Sequence, residues 1–212
     1  MPRPPDLERR RALALKAAEV LEAQGLAIST EQLARAVGVN RTTLLYHFPT
    51  QLDVVQAALG ELVTAQQDFL TERLEGVSHP VDRLAARARA VLEFHRGREA
   101  RLVFLTQALA VAGGARVGEV MQGAAALFES ARAAMVRDLE AGVAAGTVAP
   151  CDAGAVVSLT RAVIDGLTLQ RVASGVEAEP ALALFESCVL APLRREVSPR
   201  AVAARRERAS DV

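Results

Sequence analysis

Apolar residues recur along this chain at spacings of three and four, the period of a helix with one buried face. Over residues 7–24, Leu13, Ala17, Val20, Leu21 and Gln24 share such a face, and Gly25 follows as a C-terminal stop. Ser29-Thr30-Glu31-Gln32 has capping-box spacing and opens a short second helix that ends at Gly38. Asn40 suits the N-cap of a third helix over Arg41–His47, which Pro49 closes. Thr50-Gln51-Leu52-Asp53 opens a fourth in the same manner, running to about Glu75. Pro80 suits the first residue of a fifth. Helices over 80–96, 98–112, 116–144, 152–174 and 180–194 are then parted by Gly97, Gly113-Gly114, Gly146 with Pro150, and Gly175. Alternating β-branched runs are absent, so the pattern predicts an all-α protein of about nine helices.

Composition narrows the class. Of 212 residues 51% are hydrophobic, which excludes an intrinsically disordered chain. The longest uncharged stretch, Leu102 to Ala115, is broken by Thr106, Gln107, Gly113 and Gly114 and is too short to span a bilayer. Residues 1–6 carry no apolar leader, and two cysteines make no disulfide framework; a reduced, cytoplasmic protein is expected. The formal net charge of zero is a sum over unlike parts: +2 over residues 1–50, −5 over 51–193 and +3 over 194–212. The expected division follows those parts. A helix-turn-helix domain occupies 1–50, the fourth helix (51–75) links it to a larger helical domain over 76–196, and 197–212 forms a flexible basic tail.

The chemistry is concentrated between Leu33 and Phe48. Two short helices joined through Gly38-Val39-Asn40 fit a helix-turn-helix, with Gly38 free to take a positive φ. Leu33, Val37, Val39 and Leu44 supply its apolar inner surface, and Phe48 covers the far end. Arg41, Thr42, Thr43, Tyr46 and His47 fall on the outer face, where such side chains reach base edges and phosphates. An ordinary helical hairpin with a solvated polar face has the same pattern. The whole segment from Glu8 to Leu59, however, resembles the tetracycline-repressor (TetR) family of bacterial transcription regulators. That resemblance is carried by a basic helix ending at Gly25, then Leu33-Ala34 with Gly38-Val39, then Leu44 to Phe48 with His47-Phe48-Pro49.

The resemblance implies a third helix that enters the major groove, with Arg41, Thr42, Thr43 and Tyr46 as base readers. It implies phosphate contacts from Thr30, His47 and the first turn of the fourth helix at Gln51, where the backbone N–H groups of Thr50 to Asp53 suit an anion. Two readers of a dimer stand about 34–36 Å apart, so the operator is expected to be an inverted repeat in double-stranded DNA. This chain departs from the family at three points. Leu45 stands where a tyrosine is usual, Gln51 where a lysine is usual, and the stretch from Gly25 to Leu33 is about one residue short. Losing two phosphate contacts lowers affinity and flattens its salt dependence, for which Tyr46 and Arg9 to Arg11 can compensate.

In the larger domain Val163-Ile-Asp-Gly-Leu-Thr-Leu-Gln170 is similar to a phrase common in the eighth helix of the family. By that analogy helices at 152–174 and 180–194 form a homodimer. The stripes Val156, Leu159, Val163, Gly166, Leu167 and Gln170, and Leu182, Phe185, Val189 and Leu193, would face the partner or the core. A small-molecule effector pocket is expected between the middle helices, drawn from Phe94, Phe104, Gln107, Met121, Phe128, Arg132, Arg161 and Asp165. Its mostly apolar lining favours an apolar or aromatic effector. Arg161 and Asp165, four apart, make either an intrahelical ion pair or a polar spot on the pocket wall.

No cofactor, metal or catalytic constellation is expected: His47, His79 and His95 lack ligand spacing. His95 is expected as a helix C-terminal cation or a core contact. Cys151, at a helix start beside Asp152, is either a thiol of lowered pKa or a small buried residue. The expected function is a ligand-responsive dimeric regulator, a repressor by family habit. Leu45 and Gln51 favour the alternative of a helical binding or scaffold protein with a degenerate helix-turn-helix.

Overall fold

A helix cannot pair its own first N–H groups, and in this chain side chains placed just before the helices do so. The structure, a computed structural model, describes residues 6–99, 101 and 117–195, with the backbone alone from Val117 to Phe128. Asp6 accepts from the N–H groups of Glu8 and Arg9 and starts α1, Leu7–Gln24. Ser29 and Gln32 form a reciprocal capping box at the head of α2, Thr30–Ala36, and Asn40 Oδ1 accepts from Thr43 N at 2.7 Å to start α3, Arg41–His47. A second capping box, Thr50 with Asp53, opens α4, Gln51–Arg73. His79 caps α5, Pro80–His95; its Nδ1 accepts from Val81 N, so Nε2 is the donor to Thr147 O at 3.0 Å. α6 spans Val117–Ala145 and α7 spans Ala153–Ser174, the latter capped by Asp152. α8, Glu179–Phe185, passes into a π turn at Glu186–Leu190 and a 3-10 turn at Ala191–Leu193.

The expected helix over 180–194 is therefore not one regular helix. Pro192 has no N–H to give the carbonyl four residues back, and the backbone widens ahead of it. Arg89 of α5 grips the widened turn through Glu186, whose carboxylate is largely buried. The helix expected over 98–112 lies outside the described residues except at its start. Among the described residues the only β pairing is a single bridge between Val148 and Arg194, which ties the end of the chain to the loop after α6.

Two hydrophobic cores form. The first joins α1, α2 and α3 to the front half of α4 through Leu21, Leu33, Leu44, Phe48, Val54 and Leu59. The second joins the back of α4 to α5, α6, α7 and α8 through Leu70, Leu84, Leu139, Val157, Leu182 and Leu190. Leu182 and Phe185, which suit a partner face or the core by sequence, belong to this second core. Gly142 marks a close approach in it. A Cβ there would collide with the buried Val148 side chain and crowd Pro80, so α6 crosses the start of α5 only because position 142 has no side chain.

The cores are stitched together where α4 meets α5. The rings of Phe69 and Phe94 lie 5.5 Å apart, and Phe94 packs against the first core although it belongs to α5. One turn earlier on α4, Gln66 is buried and its Oε1 accepts from His95 Nε2 at 3.1 Å. The turn after α5 reaches back to α1, where Arg98 and Arg101 both hold the largely buried carboxylate of Glu22, at 3.2 and 2.8 Å. Glu99 in the same turn is held by Arg171 of α7 at 2.7 Å.

His95 is a core contact and not a cation. Burial first, then Arg161, against an opposing pull from Glu99, lowers its pKa from 6.5 to about 4. The unfolded chain binds a proton near pH 6.5 and the folded one only near pH 4. The stability that His95 contributes is therefore complete above pH 6.5 and is lost as pH falls toward 4, by about 3 kcal/mol. Urea unfolding across that window should show the loss in the wild type and a flatter profile in His95→Gln.

Candidate nucleic-acid interface

The third helix is a seven-residue element whose length leaves room for only two faces. Leu44 is fully buried and carries the inner one, while Arg41 and Thr42 are exposed at the first turn. Gly38 has φ +83°, and Val39 N donates to Ala34 O at 2.9 Å, closing the turn that sets α3 against α2. Thr43 is half-buried, with its N–H taken by Asn40. Tyr46 stands out from the surface at 49% exposure.

His47 does not share that outer face. It is 6% exposed, and its ring lies edge-on to Tyr46 with centroids 5.2 Å apart. A seventh residue on a seven-residue helix falls back over the first core, since 47 follows the buried 44 by three positions. His47 thus supports Tyr46 from beneath. Its backbone carbonyl accepts from Arg10 Nε at 3.2 Å, and the Arg10 guanidinium sits 4.9 Å over the Phe48 ring. Arg11 is spent on Glu61 of α4 at 2.9 Å. Two of the three arginines expected to compensate on DNA therefore brace the module itself. Arg9 and Arg41 make no ion pair among the described residues.

Thr30 and Gln51 meet each other. The Thr30 hydroxyl donates to Gln51 Oε1 at 2.9 Å, and the Gln51 amide donates to Ile28 O. A lysine at 51 cannot accept from Thr30, so the glutamine exchanges a charge for a latch between the starts of α2 and α4. The N–H groups of Thr50 and Asp53 are also occupied, by the Asp53 carboxylate at 2.8 Å and the Thr50 hydroxyl at 3.2 Å. Only the amides of Gln51 and Leu52 remain for an anion at that helix start, beside a carboxylate. The latch was not visible in the sequence, because it joins residues 21 apart whose types suit a surface equally well.

Deeper in the chain, α4, α5 and α6 border a cleft of about 350 Å³, lined in part by Gln67, Arg83, Arg87, Ala134, Met135 and Asp138. Behind it lies a chamber of about 50 Å³ reaching α7, with Val91, Val157, Thr160, Arg161, Ile164 and Asp165 among its walls. Leu84, Arg87 and Met135 line both. Arg161 and Asp165 are ion-paired at 2.7 Å and stand in the chamber wall, where Asp165 Oδ1 is buried without a donor among the described residues. Phe94 is a correction: its ring belongs to the contact between the two cores and lines neither space. Arg132 is another, pairing with Glu129 one turn away on the outside of α6. Phe104, Gln107 and the side chains of Met121 and Phe128 lie outside the described residues. Cys151 packs against the second core, and burial together with Asp152 raises its pKa, which overturns the reactive-thiol reading.

A glycine-turned pair of short helices, the second capped and exposed at its first turn, over a core closed by α1 and α4, defines a helix-turn-helix DNA-binding module. Residues 15–58 match the family of bacterial regulatory proteins known as the tetR family. No curated protein matches the chain. Among solved structures, the fold is similar to a TetR transcription regulator from Haloarcula marismortui, with a TM-score of 0.76 at 17% identity over 90% of this chain and 100% of that one. It is also similar to the ketosteroid transcriptional regulator KstR2 of Mycobacterium tuberculosis, with a TM-score of 0.64 at 20% identity over 91% and 98%. A third likeness is to AibR, solved with isovaleryl coenzyme A and operator DNA, with a TM-score of 0.67 at 16% identity over 83% and 97%. Residues 15–58 thus match the TetR family in sequence, and the described chain is similar in fold to these regulators.

The bracing role of Arg10 is open to direct measurement. Arg10→Ala removes a donor from the His47 carbonyl and a cation from over Phe48. It should cost about 1–2 kcal/mol in urea unfolding. An unchanged midpoint would reassign Arg10 to the solvent.

Proposed function

We propose that this protein is a dimeric transcriptional regulator that binds an inverted-repeat operator through α3 and is released from it by a small-molecule effector. The observation that carries the reading is the pairing of an exposed Arg41 and Thr42 with a frame that leaves α3 little freedom. Asn40 fixes its start, the Gly38 turn fixes its angle, and Arg10 fixes its end. Recognition works best from side chains on such a pre-set element, since binding then orders little more than the side chains themselves. Arg41, Thr42 and Tyr46 are the base-reading set; Thr43 stands behind them, its backbone N–H held by the Asn40 cap. Thr30 and Gln51 act through their latch, presenting the amides of Gln51 and Leu52 to a phosphate, and His47 acts by holding Tyr46.

A dimer follows from the surface of α7 and α8. Leu159, Leu169 and Leu184 are exposed, Leu184 at 63%, on helices whose opposite faces pack into the second core. On α7, Leu159 and Leu169 fall in one seam with Ala155, Ala162, Gly166 and Ala173, at alternating steps of four and three. Ala181 and Leu184 on α8, and Cys188 in the π turn after it, continue it. Two copies related by a two-fold axis would bury these seams against each other as a four-helix contact. Effector binding between α4 and α7 can weaken DNA binding only as far as the effector prefers a different arrangement of the two readers. The ion pairs from Arg171 to Glu99 and from Arg98 and Arg101 to Glu22 give such a preference a physical route to α1.

A second reading, a helical binding protein whose helix-turn-helix no longer reads DNA, is favoured by the Asp53 carboxylate beside the α4 amides. Binding of the full chain to its own upstream DNA, titrated against salt, decides between the two. Sequence-dependent nanomolar binding is expected, with a shallower salt slope than a reader using a lysine at 51. Arg41→Ala should weaken specific binding by about tenfold or more while leaving nonspecific binding nearly unchanged. Sequence-indifferent binding by the wild type would end the regulator reading. The double variant Leu159→Arg, Leu184→Arg should sediment as a monomer and lose most operator affinity; a dimer that survives it would place the interface elsewhere.

A further inference from the structure

We infer that the effector is a small organic anion with an apolar body, its carboxylate seated on Arg87 at the throat between the outer cleft and the inner chamber. The inference rests on the regulator reading and gives the effector a chemical class. Three guanidinium groups gather here, Arg83 and Arg87 one turn apart on α5 and Arg161 on α7. Two of them have carboxylates: Asp138 approaches Arg83 at 3.7 Å and Asp165 pairs with Arg161 at 2.7 Å. Arg87 has no ion pair among the described residues, only a weak contact of 3.4 Å to Gln67 Oε1. It is drawn out of water all the same, and burial, then Arg161, then Arg83 disfavour its charged form. A guanidinium does not resolve such stress by losing its proton, because its pKa starts too high. What relieves it is an arriving anion, and the planar fork of an arginine fits a carboxylate with two parallel hydrogen bonds.

The surroundings give the ligand its polarity and shape. Arg87 lines both spaces, so a group held there faces the cleft on one side and the chamber on the other. The chamber walls near it are Leu84, Ala88, Val91, Val157 and Ile164, which favour hydrocarbon, and its 50 Å³ admit only a few carbon atoms. Asp165, with its buried Oδ1, stands in the same chamber and repels a second negative charge. The carboxylate is thereby confined to the throat, with an apolar group entering the chamber and any larger remainder lying in the 350 Å³ cleft. The expectation of an apolar or aromatic effector is kept in the body of the molecule and amended at its head.

Matched pairs of probes test this on the full chain. Octanoate and phenylacetate, at millimolar concentration, should raise the Tm and bind by calorimetry, while octanamide and phenylacetamide should bind at least tenfold more weakly. Arg87→Gln should abolish the difference, and Arg87→Lys should retain part of it. Circular dichroism checks that each variant is folded, and Arg87→Lys carries the comparison if Arg87→Gln is not. Equal binding of acids and amides, an acid preference that persists without Arg87, or no response to any probe would each overturn the inference. Operator binding measured on the same samples separates the two readings. Specific DNA binding with no anion response leaves the regulator and removes this effector class, whereas Arg87-dependent anion binding without DNA binding does the reverse.

Discussion

A 23-residue helix must bury its apolar stripe along its whole length, and neither α1, of 18 residues, nor α5, of 16, is long enough to cover it alone. The front half is covered by α1, the back half by α5 and α6, so the two cores exist because one helix has to be shared between them. Everything functional inherits from that division. The reader is held at one end of α4 through Phe48, Val54 and Leu59, and the walls of the cleft are built at the other end around Leu70 and Leu74. In the proposed function, a change in how the back half packs would be passed to the front, since a packed helix tends to move as a unit and interiors compress little.

The weak point of such a scheme is the seam between the cores, and here it is reinforced by several kinds of contact. Phe69 and Phe94 supply apolar area, Gln66 and His95 supply a buried hydrogen bond, and Glu22 receives two arginines from beyond the end of α5. Burial raises the pKa of Glu22 against the opposing pull of Arg98, so its charge depends on these arginines more than on water. Removing one arginine from such a site leaves an under-compensated charge, which is more damaging than losing a surface pair.

The local grammar of the chain was legible before any coordinates. Ser29 with Gln32, Asn40 and Thr50 with Asp53 announce helix starts because a cap is a matter of three or four adjacent residues. Gly38 is of the same kind. What escaped the sequence was direction and distance. His47 reads as a surface ligand until the register from Leu44 turns it inward. Leu182 and Phe185 suit a partner face as well as the core until the opposite side, at Leu184 and Cys188, proves to be the uncovered one. The Thr30–Gln51 latch and the unmatched charge of Arg87 depend on residues that only folding brings together, and no periodicity records them.

Under the proposed function, the latch between Thr30 and Gln51 bears on how operator occupancy would respond to protein concentration. A reader that commits two would-be phosphate ligands to its own architecture holds a single half-site loosely. Joined in pairs, loose half-sites still give firm binding, because the second engagement takes place at the high local concentration set by the first. Residence on the operator then depends on the dimer more than on either reader. Such a complex is firm while both readers are in register and short-lived once they are not, so a modest shift in their spacing clears the DNA quickly.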